Sequence, residues 1–174
     1  FCERNNIRYY LVGGTLIGAV RHQGFIPWDD DVDIAMYRDD YEKFVNTFTE
    51  AYRDKYFIQN NYTDEMYSRF ITKVRLNGTK QVERAYANVD MHHGIYIDIF
   101  PLDYVRYNSG MSLQLRAMLV RVLVSLSSLR CGKRDHKSRA KDILKRAMRI
   151  FAAIIHKAII NKACDRVCVL TNNK

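Results

Sequence analysis

Hydrophobic and polar positions alternate with a period of two in several short runs among the first 104 residues. Such runs, rich in aromatic and β-branched residues, predict β-strands. The run Gly94–Leu102 is the clearest, because its isoleucines fall on one face while Tyr96, Asp98 and Phe100 fall on the other. The remaining predicted strands are Arg8–Val12, Val32–Tyr37, Tyr56–Asn60, Arg69–Leu76 and Lys80–Arg84, the last reached through a hairpin turn at Asn77–Thr79.

Apolar residues at the spacing of one helix face follow or interrupt these strands. They predict four helices, with Thr15 as the cap of the first. The first 104 residues therefore alternate between α and β elements, and the rest of the chain reads as amphipathic helices, with a boundary near Tyr104–Gly110. The predicted helices are Thr15–Gln23, Arg38–Tyr52, Met111–Cys131 and Lys137–Ala163.

Length and charge restrict the possible classes of protein. A chain of 174 residues with 48% hydrophobic residues suits one domain, or one domain with an appendage, and excludes a disordered chain. The net charge of +9 divides into −4 for residues 1–104 and +13 for residues 105–174. The acidic front argues against nucleic-acid contact there, so we expect no nucleic-acid partner. The oligomeric state stays open.

Other general features suggest a cytosolic fragment. The first residues, Phe1–Ile7, read like the end of a helix, so we expect a piece of a longer protein. No apolar run reaches membrane-spanning length. The four cysteines lack the paired spacing of a zinc site, which favours reduced, structural thiols.

The stretch WDDDVD concentrates carboxylates beside an apolar strand. Asp31 and Asp33, two residues apart, would project to the same side of that strand, and Asp98 faces away from the aliphatic residues of its own. If the two strands adjoin, three carboxylates meet, and like charges at that range favour a bound hard cation. Upstream, Gly13-Gly14 leaves backbone N–H groups at a helix start, where they could bind phosphate.

Each of these features also has an ordinary explanation. A Gly-Gly pair before a helix is usually only a turn, and an acidic run is usually a solvated loop. Asp98 argues against so simple an account, because a lone carboxylate in an apolar strand is costly to bury without a partner. Together, carboxylates, a cation and a phosphate-binding turn indicate phosphoryl or nucleotidyl transfer.

The order of these motifs resembles a known family. GGTLIGAVRHQGFIPWDDDVDIAMYRDDYEKF together with GIYIDIFPLD is similar to the LicD family of phosphotransferases, relatives of the fukutin group. The resemblance implies an α+β, nucleotidyltransferase-like fold of the DNA polymerase β type, in which a mixed sheet is flanked by helices. It assigns residues 1–104 to an N-terminally truncated catalytic core and residues 105–174 to a basic helical region. The family's C-terminal segment is not recognisable in this sequence.

The resemblance also implies an activity. LicD-type enzymes move phosphocholine or a similar phospho-alcohol, such as phosphoribitol, from a CDP-activated donor such as CDP-choline. The acceptor is a hydroxyl of a cell-surface glycan, as in lipopolysaccharide, teichoic acid or capsule. Mg²⁺ or Mn²⁺ is the implied cofactor. Carried over by position, Gly13, Gly14 and Thr15 match the phosphate-binding turn. Asp31 and Asp33 match the metal-binding pair. Asp98 matches the third carboxylate, as metal ligand or general base, and Asp29 is a further metal ligand.

Several neighbouring side chains keep two interpretations. Arg21 could pair with the donor diphosphate or bridge the acidic loop. Asp30 has the opposite parity to Asp29 and Asp31, so we expect it to face solvent or cap the loop. Trp28 could stack on a base or sugar, although packing beneath the acidic loop is expected. His22 could bond phosphate, although a structural imidazole is expected, and His92 and His93 could reach the acceptor or, as expected, cap a loop. Lys73 and Arg75 could face phosphate, although a solvated strand face is expected.

The basic helices and the reaction type leave further alternatives. The helices could pack onto the domain or lie on an anionic membrane, at its cytoplasmic face. A second enzymatic hypothesis is a nucleotidyltransferase that adds NMP to a small molecule or a protein and releases pyrophosphate. A third is a non-enzymatic module that binds membranes or nucleic acid through the basic helices, with strong salt dependence.

Overall fold

A single mixed sheet organises the first part of the chain in the computed structural model, which describes residues 1–104, 110–130 and 155–169. Single-turn 3₁₀ helices cover Glu3–Asn5 and Arg84–Tyr86. The strands are β1 (Tyr10–Leu11), β2 (Asp33–Tyr37), β3 (Tyr56–Gln59), β4 (Thr72–Leu76) and β5 (Tyr96–Leu102). The α-helices of the described residues are α1 (Gly13–His22), α2 (Arg38–Tyr52), α3 (Gly110–Arg130) and α4 (Lys157–Val169).

Strand order places two distant parts of the chain side by side. The five strands run in the order β1-β2-β5-β4-β3, and only β2 and β5 are parallel. The register aligns Asp33 with Asp98, Asp98 with Lys73, and Lys73 with Gln59. One polar row therefore crosses four strands on a single sheet face. The predicted α+β class and mixed sheet are confirmed.

The opposite sheet face forms the apolar core. Met36, Ile58, Val74 and Ile99 alternate with the polar row and are buried against Phe44 of α2. Burial of a side chain of this size stabilises the folded state by about 1.5–3 kcal/mol. The sheet is thus anchored on one face, and the polar row lies on the other.

Helix α2 has the bounds that its hydrophobic spacing predicts. Asp39 and Asp40 lie in its first turn, where carboxylates interact favourably with the positive end of the helix dipole. Aromatic rings at positions 44, 48 and 52 form one stripe that meets Phe1, with ring centroids 5.1–5.8 Å from it. This stripe is the apolar helix face that the hydrophobic spacing of the sequence predicts.

The predicted strand Lys80–Arg84 is wrong. Both edges of β4 are already occupied, by β3 on one side and β5 on the other, so no edge remains for a returning strand. Instead the chain turns at Gly78, and the Thr79 hydroxyl donates to the Leu76 carbonyl at 2.7 Å and accepts the Ile95 N–H at 2.9 Å.

The helix predicted over Lys137–Ala163 is confirmed for residues 157–163 and has other bounds. Residues 137–154 lie outside the described residues, residues 155 and 156 are not helical, and α4 continues to Val169. The imidazole of His156 accepts the Ala158 N–H at 3.3 Å, which supplies a start signal for a helix beginning at Lys157.

The chain divides into two compact units. The first comprises Phe1–Asn60, Ile71–Val82 and His92–Leu102, and therefore contains the whole sheet. The second comprises Asn61–Phe70, Glu83–Met91 and the described residues from Asp103 onward. The predicted division into residues 1–104 and 105–174 stays a prediction.

Helices α3 and α4 pack against each other within the second unit. The ammonium of Lys157 donates to the carbonyls of Asp64 and Glu65 at 2.9 and 2.5 Å, and the Asn161 amide donates to the Asn61 carbonyl at 2.8 Å. These bonds fix the connecting segment Asn61–Phe70 to α4. Among the described residues, no helix combines the length and the apolar character needed to cross a bilayer.

Candidate active site

Three carboxylates from two strand segments meet on the polar face of the sheet. Asp33 begins β2 and lies in register with Asp98 on the parallel strand β5, and Asp31 immediately precedes β2. One carboxylate oxygen from each of the three residues lies within 4.8 Å of the others. The sequence prediction that these side chains converge is met by the geometry. Their assignment as site residues stays a prediction.

The electrostatics of this group fit a bound cation. The pKa of Asp31 is raised above its usual value, chiefly by burial and then by the neighbouring Asp29 and Asp98 carboxylates. The pKa of Asp33 is raised for the same first reason, followed by repulsion from Asp31 and Asp98. Lys73 acts in the opposite direction on both. A hard divalent cation with oxygen ligands would relieve this repulsion.

Asp29 and Asp30 form a second carboxylate group with Asp31, again within 4.8 Å. The Oδ2 atom of Asp29 is buried and has no hydrogen-bond partner in the described part of the chain. Asp30 is exposed, as expected, but it is not separated from its neighbours. Strand parity fails to separate them because β2 begins only at Asp33.

The Gly13-Gly14 turn is shaped by the carboxylates it faces. Gly13 has a positive φ of 57°, and a Cβ there would lie 2.8 Å from Asp33 Oδ2. A Cβ on Gly14 would lie 2.3 Å from Asp29 Oδ2. Glycine therefore lets two carboxylates approach the N-terminus of α1, whose free N–H groups and dipole favour negative charge.

Thr15 connects α1 to β2 and does not cap the helix as predicted. Helix α1 begins at Gly13, and its N-cap residue, Val12, makes no side-chain cap bond. The Thr15 hydroxyl oxygen instead accepts the Asp33 N–H at 2.8 Å, and the Val12 N–H donates to the Asp33 carbonyl at 3.2 Å. These two bonds fix the glycine turn against the start of β2.

Arg21 lies apart from the carboxylates. It belongs to the last turn of α1, eight residues from Gly13, which corresponds to about 12 Å along a helix. Its side chain is exposed and forms no ion pair with a described acidic residue, so the alternative that it bridges the acidic loop is not observed. Its role toward donor phosphate stays a prediction. His22, next to it, is also exposed.

Lys73 is the site residue that sequence reasoning placed wrongly. The expected solvated strand face does not exist, because Lys73 is fully buried on β4. Its ammonium donates to Asp98 Oδ1 at 2.7 Å and lies 3.3 Å from the centroid of the Tyr96 ring. The register of β4 with β5 brings this about, and that register could not be deduced from the alternation of either strand alone.

Arg75 is buried in the same way, two residues along β4. Its guanidinium donates to the Gln59 side-chain oxygen and to the Gly94 carbonyl, the latter at 2.7 Å, and lies 4.8 Å from the Tyr96 ring centroid. Two buried cations therefore flank one aromatic ring. The solvated face expected for Arg75 is also wrong.

His92 stabilises the loop before β5. Its ring stacks on Phe57 with centroids 5.0 Å apart, and its Nδ1 accepts the Gly94 N–H at 3.1 Å. The predicted loop role of His92 is confirmed.

Trp28 does not pack beneath the acidic loop, since 83% of the residue is exposed. An exposed indole immediately before Asp29 leaves the stacking interpretation open.

A large apolar cavity in the same unit is not part of this site. Its volume is about 770 Å³, and its lining includes Ile34, Val74 and Ile97. These side chains lie on the core face of the sheet, opposite the carboxylates. The candidate site therefore lies on the polar face of the sheet, where the charged side chains are.

Comparison with known sequences assigns the family. The family described as LicD/FKTN/FKRP, nucleotidyltransferase domain, matches residues 6–115. The Haemophilus influenzae lipopolysaccharide cholinephosphotransferase LicD is 32% identical over 167 residues, which cover 92% of this chain and 54% of that protein. The chain belongs to the LicD/FKTN/FKRP family, and the predicted resemblance is confirmed.

Two shorter matches agree with this assignment. Human ribitol 5-phosphate transferase FKRP is 53% identical over 38 residues, covering 22% of this chain and 8% of that protein. An uncharacterized protein of Rickettsia typhi is 45% identical over 58 residues, covering 33% and 19% respectively. The chain thus spans about half the length of the Haemophilus relative and a smaller part of the others.

Proposed function

We propose that this chain carries the catalytic centre of a LicD-type, metal-dependent phosphotransferase. It would move phosphocholine or a similar phospho-alcohol from a CDP-activated donor to a hydroxyl of a cell-surface glycan, such as lipopolysaccharide, teichoic acid or capsule. The observation that carries the proposal is the convergence of Asp31, Asp33 and Asp98 within 4.8 Å in a member of this family. The names of two relatives, a cholinephosphotransferase and a ribitol 5-phosphate transferase, support the class of transferred group.

Asp31, Asp33 and Asp98 would hold the cation, with Asp29 contributing from the adjoining group. When bound, Mg²⁺ or Mn²⁺ would neutralise phosphate charge and acidify a hydroxyl. The N–H groups of Gly13 and Gly14, at the start of α1, would bind donor phosphate, with Thr15 beside them. A nucleotidyltransferase-like fold of the DNA polymerase β type is part of this proposal.

In the proposed reaction the acceptor oxygen attacks the phosphorus of the phospho-alcohol. A new P–O bond forms to the acceptor, the bond to the CMP phosphate breaks, and CMP leaves with that electron pair. The acceptor proton passes to Asp98 or to solvent. The raised pKa values of Asp31 and Asp33, caused by burial and by neighbouring carboxylates, agree with a site in which a bound cation would offset the repulsion.

The test uses the full-length protein with CDP-choline, CDP-ribitol and CDP-glycerol and measures Mg²⁺-dependent CMP release. We expect Asp31→Asn or Asp33→Asn to lower the rate by about 100-fold or more, because each removes a ligand charge. Asp39→Asn, an exposed aspartate of α2, is the matched control and should keep full activity. Full activity of either site variant would contradict the proposal.

Two other functions would be recognised by different measurements. Release of pyrophosphate from an NTP would establish a nucleotidyltransferase, a reaction that the wording of the family description also permits. Steeply salt-dependent binding to anionic vesicles, unchanged by Asp31→Asn, would indicate a membrane-binding module. A peripheral position at the cytoplasmic face of the membrane is compatible with the leading proposal and is part of it.

A further inference from the structure

Lys73 places an ammonium group beside the carboxylates. Its ammonium bonds Asp98 Oδ1 at 2.7 Å, and its side chain is completely buried. Its register partner is Asp98, which in turn lies opposite Asp33 on β2. The lysine is therefore adjacent to the position where a cation held by Asp31, Asp33 and Asp98 would bind.

The surroundings of Lys73 hold its ammonium in this position. The Tyr96 ring lies 3.3 Å from Nζ, and the flat face of an aromatic ring attracts a cation. Arg75 lies 4.8 Å from the centroid of the same ring and is bonded to the Gly94 carbonyl. Burial, the bond to Asp98 and the Tyr96 ring together hold the ammonium beside the carboxylates.

We propose that Lys73 is a positioning residue and resident cation of this site, which orients Asp98 and limits the affinity of the carboxylates for a divalent ion. The ammonium offsets one of the negative charges of the carboxylate group, so less negative charge is left to attract a divalent ion. The site would bind its ion weakly alone and firmly only with a donor diphosphate. This proposal rests on the proposed transferase function.

The expected effect of removing the charge follows from two opposing contributions. Without Lys73, Asp98 loses one charge-assisted hydrogen bond, which weakens cation binding by about 10- to 100-fold. Removing a like charge a few ångströms from a divalent ion strengthens binding by more than about 100-fold at the effective dielectric constant of protein sites. The net prediction is tighter metal binding.

The experiment measures Mn²⁺ binding to the full chain by electron paramagnetic resonance, without donor, and then turnover with a CDP-alcohol. Lys73→Gln removes the charge but keeps an N–H donor, so we expect the Kd for Mn²⁺ to fall by about tenfold or more while kcat also falls. Lys73→Arg, which keeps the charge, should keep the wild-type Kd. Lys80→Gln, at an exposed lysine of the same unit, is the matched control.

The outcomes separate this proposal from the proposed function. Tighter Mn²⁺ binding with slower turnover supports it, because a purely structural lysine would weaken both. An unchanged or higher Kd in Lys73→Gln overturns the role of Lys73 while leaving the transferase proposal intact. No Mn²⁺ binding to wild type or variants overturns the metal site itself. If circular dichroism shows that Lys73→Gln does not fold, Lys73→Met is measured with the same expectations.

Discussion

Asp31 and Asp33 should each lower the stability of the metal-free protein. Asp31 and Asp33 have raised pKa values because burial and neighbouring carboxylates disfavour their charged forms. A folded-state pKa above the unfolded value means that the contribution to stability is present at low pH and is lost as pH rises through the folded pKa. Because of these two residues, the metal-free protein should be less stable at neutral pH than at mildly acidic pH.

Replacing one of these carboxylates should stabilise the metal-free protein. For Asp31→Asn at pH 7 in EDTA we expect Tm to rise by a few degrees, because one repelling charge is removed. The gain should shrink at pH 4, because the raised pKa leaves a larger share of the wild-type carboxyl protonated there than at pH 7. Differential scanning calorimetry at both pH values checks this, with Asp39→Asn as control. A lower Tm for Asp31→Asn at pH 7 would show that Asp31 is stabilising without metal.

At the scale of elements, the sequence predicted the features that depend on a single helix or strand. It did not predict the features that depend on which strands pair. The bounds of α2 follow from its aromatic stripe, and the carboxylate face of β5 follows from its alternation. The buried state of Lys73 depends on which strand lies beside β4, and nothing in the strand's own sequence specifies that neighbour. The erroneous strand at Lys80–Arg84 failed for the same reason.

The glycine turn between β1 and α1 offers a test at this scale. Gly13→Ala adds a Cβ 2.8 Å from Asp33 Oδ2 at a φ of 57°, whereas Gly78→Ala adds one in open space at a φ of 73°. Both should lose roughly 1–2 kcal/mol of stability through backbone strain. Only Gly13→Ala should also weaken Mn²⁺ binding, because it displaces a carboxylate. Equal Mn²⁺ affinities in the two variants would contradict the role of the turn.

At the scale of the whole molecule, the two compact units use buried cations differently. The buried lysine of the first unit contacts a carboxylate in the candidate site, whereas Lys157 of the second unit donates to two backbone carbonyls. Lys157 thereby connects α4 to the segment Asn61–Phe70.

Removing this ammonium should loosen that segment. Lys157→Met removes the two hydrogen bonds to the carbonyls of Asp64 and Glu65, at a cost of about 1–3 kcal/mol. Hydrogen exchange by mass spectrometry should show faster exchange in residues 61–70, with Mn²⁺ affinity unchanged. Lys162→Met, at an exposed lysine of the same helix, is the control. Unchanged exchange in Lys157→Met would contradict the anchoring role.

The parallel pairing of β2 with β5 has a consequence for folding order. Asp33 and Asp98 are 65 positions apart in the chain, yet they are register partners. Closing a segment of that length carries an entropic cost of about 4 kcal/mol, which only the completed sheet offsets. An intermediate that lacks this one pairing therefore lacks the carboxylate group. During synthesis, the proposed cation site would form only after β5 has emerged from the ribosome and docked, so cation binding would report the pairing of β2 with β5.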